Sequence, residues 1–202
     1  MFYEPNKRNH GLPHDPFKAL ISPRPIGWIS TISASGAVNL APYSFFNAIS
    51  ARPPVLMFSS EGEKDSVRFA RETGVFCHNL VSADLTEAMN ITSAPLERGA
   101  SEFAAAGLTP VPCERIAAPR VKEAKAALEC RVLSITPLPR LDGRIGTNII
   151  VIGEVVGIHV DDSLISADGR IDVAAVGILA RLGYMDYTAV RETFALDRPP
   201  GG

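Results

Sequence analysis

The sequence predicts a mainly β domain, an antiparallel sheet closed into a barrel with helices inserted around it. Three observations carry this. Glycine and proline together supply 32 of 202 residues, roughly 16% against a usual ~12%, so turns are frequent. The apolar stretches are short and alternate with a period of two. They come in sequence-adjacent pairs joined by turn residues such as Ala34-Ser35-Gly36-Ala37 and Asp142-Gly143, which favours hairpins over βαβ crossovers.

In chain order, residues 1 to 25 carry Pro5, Pro13, Pro16, Pro23 and Pro25 and read as an irregular, proline-rich arm without helix, lying across the surface of the rest. Ile26 to Ile32 reads as a strand containing Trp28, and Val38 to Leu40 completes a hairpin with it. Tyr43 to Ile49 and Val55 to Ser59 are two more strands, separated by Pro53-Pro54. A short helix is expected over Ser66 to Arg71, capped by Asp65 and ended by Gly74. Val75 to Val81 is a strand, Ser82 caps a helix to about Met89, and Ser101 to Ala106 is a third short helix. A strand starts near Leu128 and runs to Leu138. Asn148 to Val160 is the longest strand, apolar on both faces, with Ile150, Ile152, Val156 and Ile158 on one and Ile149, Val151 and Val155 on the other. Ala174 to Leu182 reads as a terminal helix. No repeat or long linker divides the chain, so residues 1–202 are expected to form one domain.

Composition excludes several functions. Twenty Lys and Arg against 22 Asp and Glu give a net charge of −2, which is not the basic footprint of a nucleic-acid binder. The three cysteines, Cys77, Cys113 and Cys130, form no C-x-x-C pair; neither a disulfide framework nor a structural metal site is expected, and the compartment is expected to be the reducing cytoplasm. The start, Met1 to Arg8, mixes charges with proline, unlike a signal peptide. No charged residue lies between Arg24 and Arg52, yet Pro25, Pro42 and repeated Ser, Thr and Asn there argue against a membrane span.

Dinucleotide-fold, P-loop and H-E-x-x-H motifs are absent. His10 and His14 are separated by Gly11 and Pro13, which prevent the helix that would align them as ligands. Cys77 and His78 are adjacent in a strand, point to opposite faces and form no nucleophile–base pair. His159 stands at a strand end and reads as structural. What remains is the neutral, hydroxyl-rich segment and the triplet Lys64-Asp65-Ser66 at a helix start. Helix N-termini offer unpaired amides that bind phosphate; Lys64 adds a charge and Ser66 a hydroxyl, while Asp65 competes for the same amides.

Pro23-Arg24-Pro25-Ile26-Gly27-Trp28-Ile29-Ser30-Thr31, Asn39-Leu40-Ala41-Pro42-Tyr43-Ser44-Phe45-Phe46-Asn47, Met57-Phe58-Ser59-Ser60 and Lys64-Asp65-Ser66 follow one another. This series closely resembles the flavin reductase-like family of FMN-binding split barrels. The likeness continues through Asn79-Leu80-Val81, Ala106-Gly107-Leu108-Thr109 and Ile152-Gly153-Glu154-Val155-Val156 to the Arg181-Leu182-Gly183 region, and so covers most of the chain.

The resemblance implies FMN with its ring against Ser44, Phe45, Phe46 and Asn47, Ser30 and Thr31 lining the same cleft, and Ser59, Lys64, Asp65 and Ser66 around the phosphate. Should Lys64 not hold the phosphate, Arg98 is the next candidate. Phe45 and Phe46 alternate, so at most one faces the flavin. The resemblance also implies a homodimer, and an NAD(P)H-dependent flavin reductase that supplies an oxygenase or other redox partner. No protein acid or base is required, so no catalytic residue is assigned. One departure is visible. Many NAD(P)H-dependent members carry Gly-Asp-His where this chain has Gly146-Thr147-Asn148. That departure favours a second reading, a flavoredoxin-like FMN protein that exchanges electrons with protein partners. A third, a split barrel holding haem or nothing, would be expected to lose Lys64 and the hydroxyls that this chain keeps.

Overall fold

The computed structural model describes residues 1–96 and 100–199. The proline-rich arm contains one turn of helix, α1 (Phe17–Leu20), and a two-residue strand, β1 (Arg24–Pro25). The arm is therefore not wholly irregular. Pro16 precedes the helical turn, where its missing N–H costs nothing. Four strands follow, β2 (Gly27–Ile32), β3 (Val38–Tyr43), β4 (Phe46–Ala51) and β5 (Pro54–Glu61). Helix α2 (Asp65–Thr73) ends at Gly74 and leads into β6 (Val75–Asn79). After a 3-10 turn, α3 (Thr86–Ile91) and α4 (Glu102–Ala105) precede the small hairpin of β7 (Pro110–Val111) and β8 (Arg120–Val121). The long strands β9 (Ala126–Pro139) and β10 (Ile145–Val160) come next, then α5 (Val173–Val176), β11 (Leu179–Arg181) and β12 (Tyr187–Ala189).

Seven strands make the main sheet in the order β3-β2-β6-β9-β10-β5-β4, with every pairing antiparallel. Its two edge strands, β3 and β4, are consecutive in sequence, linked only by Ser44 and Phe45. The sheet therefore curls until its edges meet at that corner, where Tyr43 packs on Phe58 with ring centroids 4.9 Å apart. This is a barrel split along one seam, and the seam is where the uncharged segment lies.

Two apolar cores use the two faces of the sheet. Ile29, Phe46, Phe58, Phe76, Cys130 and Val151 fill the barrel, closed at one end by Val67 and Ala70 of α2. Trp28, Leu40, Val81, Met89, Phe103 and Val121 form the second core between the sheet and its helices. Neighbours Trp28 and Ile29 thus serve different cores, as period-two alternation requires.

Several elements depart from expectation: Tyr43 to Ile49 is not one strand, since the chain turns at Ser44 and Phe45 between β3 and β4, and Ser82 makes no side-chain cap to the turn that follows it. The Ala174 to Leu182 segment is not one helix. Gly177 takes a left-handed conformation (φ 62°) that ends α5, and Leu179–Arg181 pairs instead with β1 and β12. Asp65 does not cap α2. Lys64 occupies the cap position, and Asp65, the first helical residue, pairs with Arg68 at 2.6 Å. Finally, β10 does not keep one phase. A bulge between Val155 and Gly157 reverses it, so Ile158 does not share the face of Ile150 and Ile152.

Candidate functional site

Around the seam, three clefts share walls. One, of about 370 Å³, is lined by Tyr43, Ser44, Phe45, Ser59, Lys64 and Asn148, with Lys18 and Glu61 at its rim. A second, of about 600 Å³, runs past Pro42 and Tyr43 to Lys64, Asp65 and Ser66 at the α2 N-terminus and is walled by Thr92 to Leu96 and Glu102. A third, of about 220 Å³, joins them at Pro42 and Ser44 and reaches Arg181 and Tyr187. Together they make one groove along the β3–β4 corner.

The corner is built by side-chain alternation. Phe46 is 8% exposed and enters the barrel core, where its ring lies 4.5 Å from that of His78. Phe45, 38% exposed, faces the groove. Gly27 makes this possible, because a Cβ there would stand 2.5 Å from the Phe46 ring. The Phe45 carbonyl accepts from the Ser59 amide at 2.9 Å, pinning corner to β5. Asn148 donates through Nδ2 to Ser59 Oγ at 3.3 Å.

At the other end, α2 presents its first amides. The Val67 and Arg68 amides turn back to the Lys64 carbonyl at 3.0 Å, leaving those of Asp65 and Ser66 ahead of the first helical bond. No carboxylate among the described residues lies within ion-pair distance of the Lys64 ammonium. Ser66, 1% exposed, accepts from Asn39 Nδ2 at 2.8 Å and so is fixed in place. Burial, with Asp65 nearby, raises the pKa of Glu102 against its hydrogen bonds from backbone amides.

The groove thus gathers Ser44, Phe45, Ser59, Lys64, Asp65 and Ser66 of the residues expected from sequence. Four others lie elsewhere. Ser30 is fully buried on the second-core face of β2, its hydroxyl bonded to the Pro119 carbonyl at 2.5 Å and to Asn79 at 3.0 Å. Thr31 is fully buried, and its hydroxyl has no partner among the described residues. Phe46 is core, and Asn47 is exposed on β4, its Oδ1 accepting from the Ala48 amide. Lys18 and Asn148 were missed. Both come from segments remote in sequence, and only the fold brings them to the seam. Arg98 lies outside the described residues. Arg24, central to the resemblance, is structural, its guanidinium donating to the carbonyls of Lys18, Ile21 and Leu182.

The family model for the flavin reductase like domain matches residues 20–175. The chain belongs to the flavin reductase-like family. Component B of nitrilotriacetate monooxygenase from Bacillus cereus superposes with a TM-score of 0.88 at 32% identity, covering 97% of this chain and 98% of that one. BH2278 of Halalkalibacterium halodurans, itself uncharacterised, is 39% identical over 89% of this chain and 87% of its own length. The flavoredoxin of Desulfovibrio vulgaris has a TM-score of 0.77 at 24% identity, covering 89% and 93% of the two chains; at that identity the likeness concerns the fold alone. Membership of this family makes the chain a flavin-related oxidoreductase by kind. The groove fits such a cofactor chemically: an apolar, hydroxyl-edged corner suits a flavin ring, and a lysine beside free helix amides suits a phosphate.

Proposed function

We propose that the groove binds FMN, with the isoalloxazine ring at Ser44 and Phe45 and the phosphate at Lys64, Ser66 and the first amides of α2, and that the protein is an NAD(P)H-dependent flavin reductase supplying reduced flavin to a partner. The observation that carries this is the continuity of the groove from the β3–β4 corner to the α2 N-terminus, with Lys64 lining both clefts along the way. When bound, the flavin itself supplies the hydride and electron chemistry. The chain's residues bind and orient it. Ser59 is held by Asn148 to face the cleft, Phe45 covers one side, and Lys64 with the α2 amides meets the phosphate charge. The relation to component B of nitrilotriacetate monooxygenase supports an oxygenase as the partner class.

The second reading, electron exchange with a protein in the manner of a flavoredoxin, is favoured by Asn148 standing in the cleft wall where many nicotinamide-using relatives have histidine. Anaerobic addition of NADH or NADPH to the FMN-loaded protein separates the two. Bleaching of the flavin absorbance within turnover time is expected for the reductase. Bleaching by neither nucleotide, with ready reduction by dithionite, would leave the electron-transfer reading.

We assign the functional unit as a homodimer. Ile49, Leu133, Val156 and Ile158 remain exposed along β4, β9 and β10 in a single chain, apolar surface that a second copy would cover. The three cysteines are free, and no helix among the described residues is long and apolar enough to cross a membrane.

A further inference from the structure

On the face of the sheet away from the barrel core, strand register builds a row of chemically active side chains. Cys77 of β6 stands opposite Glu129 of β9, and Glu129 stands opposite Gly157 of β10. The bulge at Val156 turns Gly157 and His159 to this same side. Glu129 is fully buried, yet its carboxylate accepts from the Glu114 amide at 2.8 Å and the Arg115 amide at 2.6 Å, while Oε1 meets His159 Nε2 at 2.5 Å. The two amide bonds fasten the loop between β7 and β8 over the sheet. That loop delivers Cys113, so the Cys113 thiol, a Glu129 oxygen and a His159 ring nitrogen lie within 4.8 Å of one another. Gly157 makes the room, since a Cβ there would meet Glu129 Cδ at 3.3 Å and Arg115 Cγ at 3.5 Å. None of these residues lines the groove at the seam.

We propose that Cys113, Glu129 and His159 form a binding site for a zinc-like divalent ion, independent of the flavin groove. Thiolate, imidazole and carboxylate are the three donor types that Zn²⁺ accepts, and the sulfur selects against Mg²⁺ and Ca²⁺. One thiolate and one carboxylate neutralise the dication, so no net charge is left in a poorly solvated site. The ligand atoms of a tetrahedral ion with bonds near ~2.1 Å stand roughly 3.4 Å apart, farther than the present contact of His159 with Glu129. The ion therefore enters by taking the place of the proton between them. Glu129 stays anchored by its amides, while the imidazole, 24% exposed, has space to swing outward. Cys113 loses its thiol proton to solvent on binding. His159 also borders a cleft of about 430 Å³ lined by Arg120, Lys122 and Lys125. Its cationic wall suits a water, hydroxide or small anion as the fourth ligand.

The test is titration of the chelator-treated, reduced protein with Co²⁺ under anaerobic conditions, followed by Zn²⁺. One equivalent per chain is expected to produce a thiolate-to-cobalt charge-transfer band in the near ultraviolet with the visible absorption of a tetrahedral ion, both displaced by Zn²⁺. Cys113→Ser is expected to abolish the charge-transfer band. His159→Gln is expected to weaken Co²⁺ binding at least tenfold. Both positions are partly exposed, and melting curves in metal-free buffer check that each variant folds; Cys113→Ala replaces the serine variant should that one not fold. Absence of the band in the unmodified chain, an undiminished band in Cys113→Ser, or unchanged affinity in His159→Gln would each overturn the proposal.

Discussion

Lys64 is the residue on which the phosphate assignment turns, because it combines a cap position, a place in both clefts and an ammonium without an ion-pair partner among the described residues. A charge-assisted contact of this kind contributes about 1.5–3 kcal/mol. Lys64→Ala is therefore expected to weaken FMN by one to two powers of ten and to leave riboflavin, which has the ring without the phosphate, nearly unchanged. Fluorescence quenching of the two flavins measures both. Equal weakening would place the role of Lys64 in folding or at the ring. His78 makes a second residue-scale prediction. It is buried in the barrel core, and burial lowers its pKa from 6.5 to about 4. Between those values the unfolded chain takes up a proton that the folded chain refuses. Stability should thus fall as pH drops from about 6.5 to about 4, by up to about 3 kcal/mol for this one group. Denaturant midpoints across that range should slope less steeply in His78→Gln. The residue scale is also where sequence reading was weakest. Lys64, Ser66, Ser44 and Ser59 carry their chemistry in their type and their place at an element end. Ser30 and Thr31 alternate along one strand with apolar residues on both sides, and with a core on each face of the sheet, neither parity leads to a cleft.

Elements were read well where local chemistry alone decides them and poorly where partners decide. The hairpin at Ser33 to Ala37, the helix ending at Gly74 and the turn at Asp142-Gly143 rest on residues that fix their own backbone. The β11 segment could not be recognised in this way, since Ala174 to Leu182 has helical composition and its strand pairing comes from β1, some 155 residues earlier in the chain. The β10 bulge is similarly silent in sequence, because Val155-Val156-Gly157 reads equally well as regular strand. It alone brings His159 to Glu129, which is why His159 looked like an isolated strand-end histidine. The corner between β3 and β4 supplies a prediction at this scale. Gly27→Ala would push a methyl group into the Phe46 ring, with 2.5 Å available where ordinary contact needs more than 3.4 Å. Overpacking of this kind costs about 1–3 kcal/mol. Because Phe46 and Phe45 are adjacent, relief of the clash would also shift the groove wall. Both lower thermal stability and weaker binding of FMN and riboflavin alike are expected, in contrast to Lys64→Ala. A variant as stable as the parent, with unchanged affinity for both flavins, would show that the corner is softer than this packing implies.

For the molecule as a whole, the unresolved balance lies in apolar side chains left exposed along the long strands. The barrel interior is filled, and β10 spends Ile149, Val151 and Val155 on it. Leu133, Ile145 and Ile158, on the same two strands, are each more than half exposed. Burying an exposed aliphatic side chain fully contributes about 1.5–3 kcal/mol, a gain that a second copy of the chain would supply against the entropy of association. A homodimer is therefore expected at micromolar concentration, and its melting temperature should rise with protein concentration, as coupled folding and association require. Replacing Leu133 and Ile158 together by Asp sets two carboxylates among those exposed side chains, at positions outside the buried cores and the groove lining. The double variant should scatter light as a monomer and lose the concentration dependence of melting. Monomer mass for the unmodified chain with FMN present, or an intact dimer in the double variant, would mean that this surface is not where two copies meet.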